Sequence, residues 1–428
     1  MMGSVTRRRF LRAQVALGGT GAFCGAFFGP WKLNRIFAQA KPIKIGLTCD
    51  ASGQYADSGR DELRGMRMAI DEANARGGAL GRKVEWVTRD TETKPETGAA
   101  VAQRFIDEDC TIMIGAIHSG VAHAITQVAN RYGVIYFNSN SSAASEAREN
   151  CSRIKFVWDG NGTNFSKATV RNAIQSFGTR CLLLTNDYSW GHSTSAATRT
   201  LIQAFGGRVI DNLLVPENTR DFSPYLRQIR QLQPDLVAAA IGGDDLKALS
   251  AQVIKQKMHV KPAWITSQQD WPDIWGAPER MFGVFGTTWY HKLKLPGVAD
   301  FVRRWRAANG DGPIPVPGNV SYNGYMATRE LFNAIARAGS TNNIAVIKEL
   351  EKLKIPAADR MQHFDAYMRP DTHQLQQTIY LARRNAKPAD DTDYYEIIAM
   401  SDPKSSEDPA GPSLCAMTPY DQVPVVDS

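Results

Sequence analysis

Short apolar runs recur along this chain, each followed by a stretch with helical periodicity. They read "IKIGLT", "KVEWVT", "TIMIGAI" and "GVIYFN", and later "CLLLTN", "RVIDNLL", "DLVAAAIGG", "PAWITS" and "GVFGTTWY". Several are apolar at every position, as central strands of a parallel sheet covered on both faces must be. The first helix, from about Gly59 to Arg76, places Leu63, Met66, Ile70 and Ala73 on one stripe. It closes on "RGG", a helix-stop signal. Strand and helix in strict alternation specify an α/β fold. The series then restarts. Four strand–helix steps run from Ile43 to about Cys151, the spacer "FVWDGNGTNFSKATV" follows, and a second series begins at Cys181. Helices are expected near 297–308, 320–338 and 343–353, and "QQTIYLARR" is expected to be the last strand and the end of the ordered part. Single cores stop growing near about 250–300 residues, so 428 residues imply more than one.

The expected architecture is two doubly wound parallel-sheet lobes joined by a multi-strand hinge. Lobe 1 is expected over 41–157 plus 290–366, and lobe 2 over 158–289 plus 367–400. A tail follows at 401–428, and a leader precedes at 1–40. Ligands of open α/β sheets bind beyond the carboxyl ends of the strands. Two lobes aiming those ends at each other form a hinged trap.

Thr6 to Arg12, "TRRRFLR", resembles the twin-arginine export consensus. A glycine-rich apolar run, Val15 to Gly29, leads to Ala38-Gln39-Ala40, an A-x-A cleavage pattern. That run is too short and too rich in glycine for a spanning helix, which needs about 20 apolar residues. Phe23 before Cys24 argues against a lipoprotein. The expectation is cleavage after Ala40 and a soluble exported product. Residues 1–40 hold six of the 50 basic residues and no acidic one, leaving 44 basic against 43 acidic, a net of +1. No basic field is left to draw in nucleic acid.

Five cysteines follow Ala40: Cys49, Cys110, Cys151, Cys181 and Cys415. None has zinc-type spacing. Cys181 opens an apolar run and reads as a buried small residue. Cys415 lies in the tail "DPKSSEDPAGPSLCAMTPY". Such a tail gains from a tether, and an exported protein can carry a disulfide. Cys151 in "ARENCSR" is the expected partner.

The stretch "GLTCDASGQYADSGRDELRGMRMAIDEANARGGALGRKVEWVTRDTETKPE" resembles the first unit of the periplasmic branched-chain amino acid and amide binding proteins. The likeness lies in the glycine-bearing loop, "AIDEANARGG" and the "RD-x-x-x-x-P" after strand two. "IGAIHSG", "NDYSWG", "RDFSPYLRQIRQLQPDLV" and "GG-DD" continue it in order, from about Lys41 to Arg384. The resemblance implies a type I solute-binding fold in the periplasm. It also implies a small polar ligand (an amino acid, amide or related carboxylate) and an ABC-transporter permease as partner. A monomer without cofactor is expected.

The loops after the strands supply the candidate site residues. Ser119 stands between strand three and the helix "GVAHAITQVANRY", where free N–H groups suit a carboxylate, or where a serine simply caps. "FNSNSSAAS" ends strand four, and the family's carboxylate-holding positions fall on Asn140, Ser141 and Ser142. The family's "D-x-x-Y-G" aromatic falls on Trp190, a departure from tyrosine. Asp244 takes the place of a family aromatic and either pairs an ammonium or caps the following helix. Gln268 or Gln269 falls near the acidic residue that clamps the α-ammonium in the branched-chain binders. An amide there argues against an ordinary branched-chain amino acid. Ser58 in the first loop is a further candidate. Trp264, Trp271, Trp275, Trp289 and Tyr290 read as core fillers or as a stack for a flat or cationic ligand, with Trp271 and Trp275 as rim candidates.

An enzyme would need a nucleophile, a base or a metal. The chain has no G-x-S-x-G, H-E-x-x-H, P-loop or dinucleotide fingerprint in context. His118 and His123, five apart, do not share a helix face. The competing readings are an exported ligand sensor and a twin-arginine-exported oxidoreductase.

Overall fold

The computed structural model describes residues 41–275, 283–310 and 312–427. The expected export signal and its expected cleavage point lie outside them. The first series folds as β1 (Ile43–Cys49), α1 (Ala56–Ala75), β2 (Val84–Asp90), α2 (Pro95–Asp107), β3 (Ile112–Ile114), α3 (Ser119–Tyr132), β4 (Ile135–Asn138) and β5 (Lys155–Val157). The second folds as α4 (Gly162–Phe177), β6 (Arg180–Asn186), α5 (Ser189–Ala204), β7 (Arg208–Val215), α6 (Ser223–Leu232), β8 (Leu236–Ala240), α7 (Gly243–Lys255), β9 (Ala263–Thr266), α8 (Trp271–Ile274) and β10 (Val284–Thr287). The first sheet has the order β2-β1-β3-β4-β5, and the second repeats it as β7-β6-β8-β9-β10. All these pairs are parallel. The chain is thus one doubly wound unit written twice, which gives two lobes of the type I kind.

Three further helices, α9 (Val298–Asn309), α10 (Asn319–Ala338) and α11 (Asn343–Glu351), return to the first lobe. Phe301, Met326 and Ile347 share one core with Ile43, Ile45 and Ile70. A small antiparallel sheet follows, β11 (Lys354–Ile355), β12 (Ala366–Met368) and β13 (Leu375–Gln376). Strand β12 begins at residue 366, and Met368 and Leu375 are buried in the same cluster as Ile43 and Ile45.

The second sheet gains two antiparallel strands, β14 (Ile379–Arg384) and β15 (Tyr395–Ser401). Order therefore continues past "QQTIYLARR", against expectation. The tail continues it, with Arg148 paired to Asp408 and Val423 buried. Cys151 and Cys415 form a disulfide with Cα atoms 5.7 Å apart. Cys181 is buried and free.

The described chain passes between the sheets near residues 158–161, 288–291 and 377–378. Side chains tie these crossings together. Gln377 Nε2 donates to Trp158 O at 2.8 Å, and Gln362 Nε2 donates to Thr288 O at 2.7 Å and Gln377 Oε1 at 3.1 Å. The fully buried Arg360 guanidinium also bonds Gln377 and lies 5.2 Å from the Trp158 and Tyr322 rings. No helix among the described residues is long and apolar enough to cross a membrane.

Candidate functional site

The carboxyl ends of both sheets face one cleft, and a narrow pocket lies in it. From the first lobe, Tyr55 comes from the loop after β1, Ile117 follows β3, and Asn140 and Ser142 follow β4. From the second, Tyr188 and Trp190 follow β6, Ile241 and Gly242 follow β8, and the run Gln268 to Asp273 that follows β9 contributes Gln268, Gln269, Asp270 and Asp273. Every wall residue thus sits just beyond a strand end or in the first turn of the next helix, as doubly wound sheets require.

Local geometry explains the position of Trp190. Helix α5 begins directly above the end of β6, and a Cβ on Gly191 would lie 2.0 Å from Asn186 O. Only glycine lets that turn close, so the indole is delivered to the cleft. It packs with Ala143 across the cleft and with Ala240 and Tyr188 on its own side. Tyr188 stacks on His118 with ring centroids 4.6 Å apart. His118 Nδ1 accepts from Val121 N, so Nε2 carries the proton toward Glu217 at 2.8 Å.

The lobes meet through polar contacts. The Tyr55 and Tyr188 hydroxyls are 2.5 Å apart. Gln54 Nε2 donates to Gly242 O at 3.2 Å, and Asp244 N donates to Gln54 O at 2.9 Å. Ser142 Oγ donates to Gln268 Oε1 at 2.7 Å, and Ser58 Oγ to Asp273 Oδ1 at 3.3 Å.

The residues expected from sequence divide into two groups. Asn140, Ser142, Trp190 and Gln268 line the pocket, and Ser58 stands behind Asp273. Ser119 and Ser141 do not line it. Ser141 Oγ donates to Ser119 Oγ at 3.1 Å, and Ala143 N donates to the same oxygen at 3.3 Å. Asp244 points outward to Lys247 and Arg220, and the helix it begins is capped by Gly242 instead. The tryptophan cluster is core. Trp271 packs among Trp275, Tyr290, Tyr394 and Tyr395, and Trp289 stacks on Tyr322. Sequence reasoning missed Tyr55, Tyr188, Asp270 and Asp273. The signal for the tyrosines was an aromatic in a polar loop just past a strand, the same signal that singled out Trp190.

Buried acids surround the pocket. Burial pushes Asp273 up to about 7, with Asp270 beside it adding repulsion. Burial also raises Asp270 and, farther back, Asp159. Glu62 accepts from Ser139 Oγ at 2.6 Å and Asn140 Nδ2 at 2.8 Å, yet burial still pushes it up to about 8. A carboxyl raised this way keeps its proton in the folded chain where the unfolded chain has lost it. Stability is full below the unfolded value and falls as pH rises toward the folded one. The buried His291 and His373 are lowered, which acts in the opposite sense but only below their ordinary 6.5. Between pH 6.5 and 8 the acids therefore decide. The ligand-free protein is expected to lose about 1–2 kcal/mol over that range, and Glu62→Gln to lose less. Urea titrations at several pH values check this, and a profile that rises toward pH 8 contradicts it.

Comparison with known proteins agrees with this geometry. A family profile described as periplasmic binding protein matches residues 42–390. Leu/Ile/Val-binding protein homolog 4 of Brucella abortus is 24% identical over 378 residues, covering 83% of this chain and 88% of that one. The leucine-, isoleucine-, valine-, threonine- and alanine-binding protein of Brucella ovis, in a closed conformation, superposes with a TM-score of 0.76 at 22% identity, covering 89% of this chain and 100% of that one. A solute-binding protein of an ABC transporter from R. palustris, solved with benzoate, superposes with a TM-score of 0.73 at 19% identity, covering 85% and 97%. With the profile spanning most of the sequence and the two-lobed cleft in place, the chain belongs to the periplasmic binding protein family.

Proposed function

We propose that this protein captures a small polar molecule, of the size of an amino acid or amide, between its lobes and delivers it to an ABC-transporter permease. The observation that carries this reading is the pocket itself. Its walls come from the strand ends of both lobes, so a bound molecule touches both and favours the closed form. The protein acts as a carrier without catalysis, as a monomer. The twin-arginine signal directs export and is removed after Ala40. Relatives that bind leucine-type amino acids or benzoate support a ligand of this size.

Mass spectrometry of molecules retained by the purified protein, followed by calorimetry on an amino acid, amide and aromatic-acid panel, tests this. Substrate turnover without saturable binding contradicts it. Trp190→Ala is expected to weaken binding of the retained ligand by about tenfold or more, roughly 1.4 kcal/mol. The fold should persist, because Trp190 belongs to a small cleft-side cluster apart from the main cores. Unchanged affinity means that the indole is not a wall of the site.

A further inference from the structure

The charges and free acceptors of the pocket specify which end of a ligand is recognised. Asp270 and Asp273 line it, and among the described residues no lysine, arginine or histidine does. Asp270 Oδ1 accepts from Asn319 Nδ2 at 2.7 Å and Gln268 Nε2 at 3.3 Å, both neutral donors. Asp273 accepts from Ser58 Oγ at 3.3 Å and Gly243 N at 3.0 Å, again neutral. Lys247 pairs with Asp57 and Asp244, and its charge also acts on Asp273 through space. Behind this pair, Asp159 is fully buried and held by Gln268 Nε2 and Asn323 Nδ2, each at 3.0 Å. An independent feature points the same way. Gln269 is 1% exposed and lines the pocket, and its Oε1 has no hydrogen-bond partner. A buried acceptor without a donor carries a cost that a ligand N–H removes.

The opposite requirement, a seat for a carboxylate, is not met. Ser119 and Ser141 are bonded to each other and lie off the pocket, and Ala143 N is spent on Ser119. A carboxylate in this cleft would add to the repulsion that, with burial, already raises Asp270 and Asp273, whereas an ammonium beside them relieves it. The aromatic wall completes the picture. Tyr55, Tyr188 and Trp190 follow one another at centroid spacings of 6.5 and 6.0 Å. Ring faces suit both an apolar chain and a cation.

We propose that the cleft is selective for a small primary ammonium ion with an apolar body and no carboxylate. The ammonium donates to Asp270, Asp273 and Gln269 Oε1, and the body lies against Tyr55, Tyr188 and Trp190. This rests on the cleft being the solute site.

The test is calorimetry with isoamylamine and phenethylamine, against leucine and phenylalanine, which add a carboxylate, and benzoate, which has no ammonium. The amines are expected to bind saturably and at least about tenfold tighter than the amino acids, with no benzoate binding. Asp270→Asn is expected to weaken amine binding by at least about tenfold. Asp273→Asn serves as the second variant should the first fail to fold. Binding of leucine or benzoate without binding of the amines overturns the proposal and leaves the carrier function standing. If no panel member binds, the proposal is overturned, and the carrier function is then decided by whether any molecule is retained on purification. Amine affinity unchanged in both aspartate variants also overturns it.

Discussion

Gly65→Val is expected to cost at least about 3 kcal/mol of stability, one of the two largest effects of any single substitution considered. Gly65 lies on α1 where it crosses α10. A Cβ there would stand 1.9 Å from Ser321 O and 3.0 Å from Tyr325 N. Both are backbone atoms inside a helix, so no rotamer change relieves the clash. Carbon contacts settle near 3.5–4.0 Å, so the helices would have to part by more than an ångström. Gly324 makes the reciprocal approach from α10, where an added Cβ would lie 2.7 Å from Glu62 O. Parting the pair opens the core that holds Met66, Ile70, Tyr322 and Met326, all at most 1% exposed. It also moves Glu62 away from Ser139 and Asn140 at the cleft. Thermal and urea unfolding measure the loss, and an unfolding midpoint equal to that of the parent protein contradicts the argument.

Cys415→Ser is expected to have the next largest effect. The Cys151–Cys415 bridge closes a loop across a sequence separation of 264. Chain-entropy arguments put the stabilisation from so long a loop at up to about 5 kcal/mol. The tail would keep its polar anchors, Arg148 to Asp408 and Asn343 Nδ2 to Pro424 O at 2.8 Å, but lose its covalent one. The expected outcome is a folded protein with a lower denaturant midpoint and a tail that proteases clip beyond Ser401. Reductant should bring the parent protein to the same midpoint and leave the variant unmoved. Equal midpoints for oxidised parent and variant contradict the prediction.

Much of the fold was legible because its strands are apolar throughout and its two halves repeat one order. Strands such as "CLLLTN" have no second interpretation once a helix follows. What escaped the sequence was structure made by distant partners. Strand β15, "YEIIAMS", is an edge strand with mixed exposure, and it exists because β14 offers it an antiparallel partner. The tail is polar and is ordered by a cysteine and arginines far away in the chain. The site divides the same way. Trp190, Asn140 and Ser142 follow strands directly and could be read as cleft residues. Asp270 and Asp273 lie in "QQDWPDIWG", where the tryptophans draw the eye. Yet Trp271 is the residue that turns inward, against α10, leaving the aspartates to face the pocket. Ser119 occupies a strand end as expected. Its oxygen accepts from Ser141 Oγ and Ala143 N, a pairing that no spacing rule contains.

The latch between the lobes has a consequence for handover. Tyr55 with Tyr188, Gln54 with Gly242 and Ser58 with Asp273 are hydrogen bonds between groups that water can serve equally well. Each is worth only about 0.5–1.5 kcal/mol net. Breaking these hydrogen bonds replaces protein partners by solvent with little change in free energy. A molecule touching both walls then tips the balance toward closure. Under the proposed carrier function, a docking partner that binds the open form would need to supply only a few kcal/mol to release the ligand.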